Sequence, residues 1–183
     1  MSVAAARLPA RDDSPGRLCP VAYRYAPSSL DRDPDIVADA LYVAGGLYGN
    51  VEALAALESL VSREPGAVLA FNGDFHWFDV APADFARIEE ATARHPRLRG
   101  NVETEIAGED TGAGCGCAYP ADVSDAVVDR SNEILARLRE TARGCAGARE
   151  SLASLPFTLA NLAGATLEGR LAAGTAAPKR TAV

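Results

Sequence analysis

The residues of this sequence that could do chemistry gather in three short glycine-containing stretches. They are Gly45-Gly46-Leu47-Tyr48-Gly49-Asn50, Gly73-Asp74-Phe75-His76-Trp77-Phe78-Asp79 and Gly100-Asn101-Val102-Glu103. Asp74, His76, Asn101 and Glu103 offer carboxylate, imidazole and amide donors, which suit divalent ions. His76 stands two residues beyond Asp74, so it could join Asp74 and Asn101 in a small metal site, with Glu103 or Asp79 completing it. Alternatively, His76 and Trp77 simply cover the end of a sheet. The Gly45 to Asn50 stretch could hold a phosphate on backbone N–H groups at a helix N-terminus, or serve only a tight turn. It is neither a P-loop nor a dinucleotide fingerprint, because its spacing differs and no Gly-Lys-Ser/Thr follows.

Cys115-Gly116-Cys117 sets two thiols close together, and with Cys145 or Cys19 they could collect zinc or iron. Structural zinc sites use wider spacings and four ligands, so reduced thiols on a glycine loop are the simpler account. No Gly-x-Ser-x-Gly occurs, and neither His76 nor His95 has an obvious nucleophile beside it. A serine or cysteine catalytic set therefore finds no support.

Alternating strands and helices must position these stretches. The apolar run Ala40 to Ala44 stops at Gly45-Gly46, as a buried strand ending in a loop does. Val51, Leu54, Leu57, Leu60 and Val61 then repeat at helical spacing up to Pro65-Gly66. A second run, Ala67 to Phe71, ends in Asn72-Gly73-Asp74, and a helix is predicted from about Pro82 to His95 with Phe85, Ile88 and Ala91 inward. Arg97-Leu98-Arg99 leads into Gly100-Asn101. This alternation predicts an α/β fold with parallel strands, its loops gathered at the carboxyl edge of the sheet where ligands bind. The glycines between Gly108 and Tyr119 predict a loop across that edge. A long helix over 123–142 follows, with Val127, Val128, Ile134, Leu135 and Leu138 as its stripe, then a short helix from Glu150 broken at Pro156.

The 183 residues suit one principal domain, assigned to 18–165, between a flexible arm at 1–17 and a disordered tail at 166–183. A net charge of −7 and a single lysine, Lys179, argue against nucleic-acid or anionic-lipid partners. No apolar run approaches the roughly 20 residues of a membrane span. The start of the chain, with Arg7, Arg11 and Arg17, lacks the apolar core of a secretory signal, so a cytoplasmic location is expected.

The order and spacing of the three loops resemble the opening motifs of the calcineurin-like metallophosphoesterases, over roughly Leu41 to Glu105. In that family one strand ends in Asp-x-His-Gly-Asn, the next carries a Gly-Asp motif and the third ends in Gly-Asn-His-Asp/Glu. The resemblance places Asp74 on the aspartate that bridges two ions, Asn101 on the asparagine that binds the second, and Gly49 and Asn50 on the Gly-Asn of the first motif. Glu103 falls on the acidic neighbour of the third. Gly46 and Tyr48 stand where the family has its first aspartate and histidine, Val102 replaces the histidine near the leaving group, and the family's later histidine motifs are missing.

The resemblance thus implies a metallophosphoesterase-like sheet with flanking helices, incomplete in its C-terminal half, and a degenerate site. Its metal ligands would be Asp74, Asn101 and His76, with Gly49, Asn50 and Glu103 near the ligand. A divalent Mn, Zn or Fe ion is the expected cofactor if the site is active, and none if the protein is a pseudoenzyme. A phosphorylated small molecule is the expected ligand, hydrolysed weakly or not at all. The alternative is a noncatalytic module that binds a phosphate ligand or a protein. An open sheet edge would permit a homo-oligomer.

Overall fold

The apolar runs do become strands, and the helical periods become helices, in the computed structural model, which describes residues 14–18, 26, 28, 31–109, 112–163 and 180–182. In chain order the elements are β1 (Ile36–Ala38), β2 (Ala40–Ala44), α1 (Val51–Val61), β3 (Ala67–Phe71), α2 (Pro82–Thr92), α3 (Asn101–Ala107), α4 (Asp125–Gly144), α5 (Ala148–Ala153), β4 (Ala160–Ala163) and β5 (Arg180–Ala182). The protein is an α/β structure with small, mostly parallel sheets.

β2 and β3 pair in parallel from Ala40↔Ala67 to Ala44↔Phe71, with α1 as the connection. Asn50 starts α1 as its N-cap: its side chain accepts the Ala53 N–H at 2.8 Å, satisfying one of the donors a helix start leaves open. Pro82 begins α2, where a missing N–H costs nothing. Phe85, Ile88 and Ala91 of α2 are buried, as their spacing predicts.

The expected third strand shrinks to one parallel bridge, Phe71↔Arg97. On the side facing β3, Pro96 has no N–H to give before the bridge, and beyond it the Gly100 N–H turns to the Glu103 Oε2 at 3.0 Å, so pairing stops. A second sheet has the order β1-β4-β5, β1 and β4 parallel and β4 and β5 antiparallel. No apolar run or period predicts β1, β4 or β5, all of four residues or fewer. β5 falls in the segment expected to be disordered; the rest of that tail, apart from these three residues, lies outside the described residues.

The Gly108 to Tyr119 segment is a loop as expected, and the described part of the N-terminal arm is attached to it. Gly16 donates to the Ala113 carbonyl at 2.8 Å and accepts from the Tyr119 N–H at 3.0 Å. Arg17 donates to the Pro120 and Val123 carbonyls and pairs with Asp125 at 2.8 Å. Residues 14–18 are thus held against the domain, while 1–13 lie outside the described residues.

The core gathers Phe71, Phe75, Phe85, Ile88, Leu135 and Leu138 between β3, α2 and α4. Along α4 the buried face runs Val128, Ser131, Leu135, Leu138, Ala142; Val127, assigned to the stripe from sequence, is 47% exposed. Adjacent residues lie about 100° apart on a helix, so Val127 and Val128 cannot share a narrow face. Ser131 occupies that face because its hydroxyl meets the Tyr119 hydroxyl at 2.9 Å. Among the described residues, no helix is long and apolar enough to cross a membrane.

Candidate functional site

Beyond the carboxyl end of β3 the chain turns sharply through Gly73 and Asp74, both at positive φ (+76° and +52°). This turn packs against the start of α3. A Cβ at Gly100 would overlap the Asp74 carboxylate and stand 2.7 Å from the Asp74 nitrogen, so the approach requires glycine there. The Glu103 carboxylate locks the two segments together. Its Oε2 accepts the N–H groups of Asp74 (2.7 Å) and Gly100 (3.0 Å), and its Oε1 those of Phe75 (3.1 Å) and His76 (3.3 Å). Asp74 answers by accepting the Val102 N–H on Oδ1 at 3.1 Å. Burial and the neighbouring Asp74 charge push Glu103 up to about 7, against the opposing pull of His76 and the backbone donors.

A cleft of about 380 Å³ opens beside this turn. Asp74, Asn101 and Val102 line it together with four aromatic side chains, Tyr48, Trp77, Phe78 and Tyr119, and Cys117. Asn101 donates to the Cys115 carbonyl at 3.2 Å, which ties the cysteine loop to the cleft. Burial pushes the Asp74 carboxyl up, partly offset by the Val102 N–H. The hydrogen bond with Cys115, then burial, push the Cys117 thiol up, so it stands as a neutral thiol and not a thiolate nucleophile.

Of the six site residues proposed from sequence, Asp74 and Asn101 alone line the cleft. His76 does not turn toward it. The ring is fully buried and stacked on Phe85 with centroids 3.9 Å apart. Its Nδ1 meets Asp79 at 2.6 Å and its Nε2 meets Glu89 at 3.3 Å, so both nitrogens that could ligate an ion are engaged. Burial opposes charge on this ring, yet the bonds to Asp79 and Glu89 outweigh it and raise its pKa to about 9. Glu103 is buried completely, with both oxygens taken by backbone donors. Asn50 is spent on its cap.

The backbone of the first loop is occupied as well. Tyr48 donates to the Asp74 carbonyl at 3.1 Å, Gly49 to the Phe75 carbonyl at 2.8 Å and Asn50 to the Leu47 carbonyl at 3.1 Å. Gly49 lies close to Asp79; the first two donors join the two loops and the third closes the first loop on itself, so none is left for a phosphate cradle. Tyr48 folds its ring over Gly46, where an added Cβ would overlap the phenol. Sequence reasoning pointed to Trp77 and Phe78 as aromatics that could hold a ligand, but not to Tyr48 or Tyr119; an aromatic within a glycine-containing loop was the one available signal.

A dinuclear metal group does not fit these residues. Only Asp74 and Asn101 present donors from the expected set, and the phenol of Tyr48 lies over Gly46, where the first ion's aspartate would stand. Among the described residues no group of three His, Cys, Asp or Glu side chains could hold a metal ion, and Cys115 and Cys117 are not joined by a third such ligand. Cys19 lies outside the described residues. Comparison of the chain with protein-family models, with curated proteins and with solved structures gave no match.

Proposed function

We propose that the chain is a metallophosphoesterase-like protein of phosphate-ester hydrolase ancestry that works as a binding module, with hydrolysis weak or lost. The observation that carries this reading is the fate of the ligand positions. Asp74 and Asn101 share a cleft, while His76 and Glu103 are consumed by internal hydrogen bonds and Tyr48 covers Gly46. Among the described lining residues the thiol is neutral, and no serine, threonine or histidine stands beside the Asp74 carboxylate to form a nucleophile–base pair.

A second reading keeps one divalent ion on Asp74 and Asn101, holding a phosphorylated small molecule; the adjacency of those two side chains favours it. Elemental analysis and titration with Mn²⁺, Zn²⁺ and Fe²⁺, alongside Asp74→Asn, separate the two. The binding module carries no stoichiometric metal and hydrolyses no phosphate ester above background. Stoichiometric binding abolished by Asp74→Asn, with metal-dependent turnover, overturns it.

A further inference from the structure

The cleft's chemistry is unusual for a site of phosphate-ester ancestry. Among the described residues no Lys, Arg or His lines it, Asp74 is the one carboxylate, and four of the eight lining residues are aromatic. A phosphate would meet a carboxylate and no compensating cation there. Asp74 forms no ion pair among the described residues, and its Oδ1 accepts a single backbone N–H, from Val102. Two of the aromatic rings are left standing in solvent: Tyr48 is 47% and Phe78 63% exposed. Trp77 and Phe78 meet nearly edge to face, their centroids 6.2 Å apart and planes at 68°, so the two rings present surfaces in different directions.

Resting on the reading of this cleft as a binding site, we propose that it takes a small methylated ammonium ion, held against the faces of Tyr48, Trp77, Phe78 and Tyr119 with its charge balanced by Asp74. The quadrupole of an aromatic ring attracts a cation placed over its face, and rings with a nearby carboxylate form the usual cage for quaternary nitrogen. A primary ammonium is a poorer fit, because its three N–H donors need three acceptors. Most of the described wall is aromatic carbon, and the Asp74 carboxylate, which already accepts the Val102 N–H, is its one charged acceptor. A methylated nitrogen makes no such demand. The volume of about 380 Å³ lies within the range of small-molecule sites, roughly 300–1,000 Å³. The chain's net charge of −7 draws cations toward it.

Trp77 is the sole tryptophan of the chain and lines the cleft, so its fluorescence reports occupancy directly. The full chain is titrated with choline, tetramethylammonium, the neutral carbon isostere of choline, inorganic phosphate and Mn²⁺. The two ammonium ions give saturable changes, and the carbon isostere binds at least about tenfold more weakly. Asp74→Asn weakens choline by a similar factor of about ten. Phe78→Leu, on an exposed position that leaves the charge and the backbone turn intact, also weakens choline, which keeps the test decisive should Asp74→Asn fail to fold. Equal binding of choline and its carbon isostere, tighter binding of phosphate, or no saturable response to either ammonium ion overturns the proposal. Mn²⁺ binding that depends on Asp74 would instead sink the metal-free reading of the cleft, and that result is separate from the choline curve.

Discussion

His76 makes the stability of the fold depend on pH in a window that can be stated from its surroundings. The ring is fully buried, 2.6 Å from Asp79 and 3.3 Å from Glu89, and Glu89 is itself held by Arg97 at 2.8 Å and Ser151 at 2.6 Å. Its pKa rises from 6.5 to about 9 on folding. Between those values the folded chain keeps a proton that the unfolded chain releases, so the stabilisation is complete below 6.5 and lost as pH rises through 9. At 1.36 kcal/mol per unit this amounts to about 3 kcal/mol. Glu103, raised from 4.5 to about 7, also lowers stability as pH rises, but in the lower window between those two values. His76→Gln isolates the first effect, because glutamine carries no titrating proton. Urea unfolding followed by Trp77 fluorescence and checked by circular dichroism gives both stabilities at each pH. The wild-type advantage is expected to shrink by about 3 kcal/mol between pH 6.5 and about 9.5, above a pH-independent offset from the lost stacking on Phe85. An advantage that stays constant across that range, or grows, refutes the assignment of a charged His76.

Two further substitutions test the frame around the cleft. Gly100→Ala places a methyl against the Asp74 carboxylate and backbone, and is expected to cost about 1–3 kcal/mol in urea unfolding, whereas Gly45→Ala, with nothing within 4 Å, stays within about 0.5 kcal/mol. Arg139 is buried against Glu105, with its Nη2 2.7 Å from the carboxylate and its Nε 2.8 Å from the Glu105 carbonyl, so Arg139→Ala is expected to cost about 3–5 kcal/mol. Arg139→Met retains most of the side-chain volume and should cost nearly as much; a full rescue by methionine would assign the loss to a cavity and not to an abandoned carboxylate.

How much of this could be read in the sequence follows from the range of the interactions. β2 and β3 were legible because a strand buried between neighbours is a continuous apolar run, and α1 and α2 because their periods and caps are local. β4 was not, since four residues acquire strand character only from the partner β1 that lies more than a hundred residues earlier in the chain. The same distinction governs the site. Asp74 and Asn101 line one cleft because both sit at strand or helix ends beside one sheet edge. The ties of His76 were not legible, because Glu89 lies 13 residues away, and the Ser151 that steadies Glu89 lies 62 residues beyond it. No spacing rule connects such residues. Glu103 was visible as a carboxylate near the site, but not as the buried acceptor of four backbone donors, a role set entirely by how the Gly73 turn meets α3.

On the proposed ancestry, the exchange of an ion-binding loop for an aromatic one would involve a single steric choice. Tyr48 has positive φ (+53°), which turns its ring back over Gly46, and its N–H holds the Asp74 carbonyl at 3.1 Å. A side chain at position 46 would occupy the space of the phenol, so an aspartate there and this tyrosine conformation exclude each other. On the proposed ancestry, the loss of the first aspartate and the gain of the aromatic wall are therefore one change and not two. Restoring Gly46→Asp alone would displace Tyr48 from the cleft without rebuilding an ion site, because His76 and Glu103 remain engaged elsewhere. On that ancestry the loop could hold either the first ion's aspartate or this tyrosine ring, and the packing of Tyr48 over Gly46 leaves no room for the first.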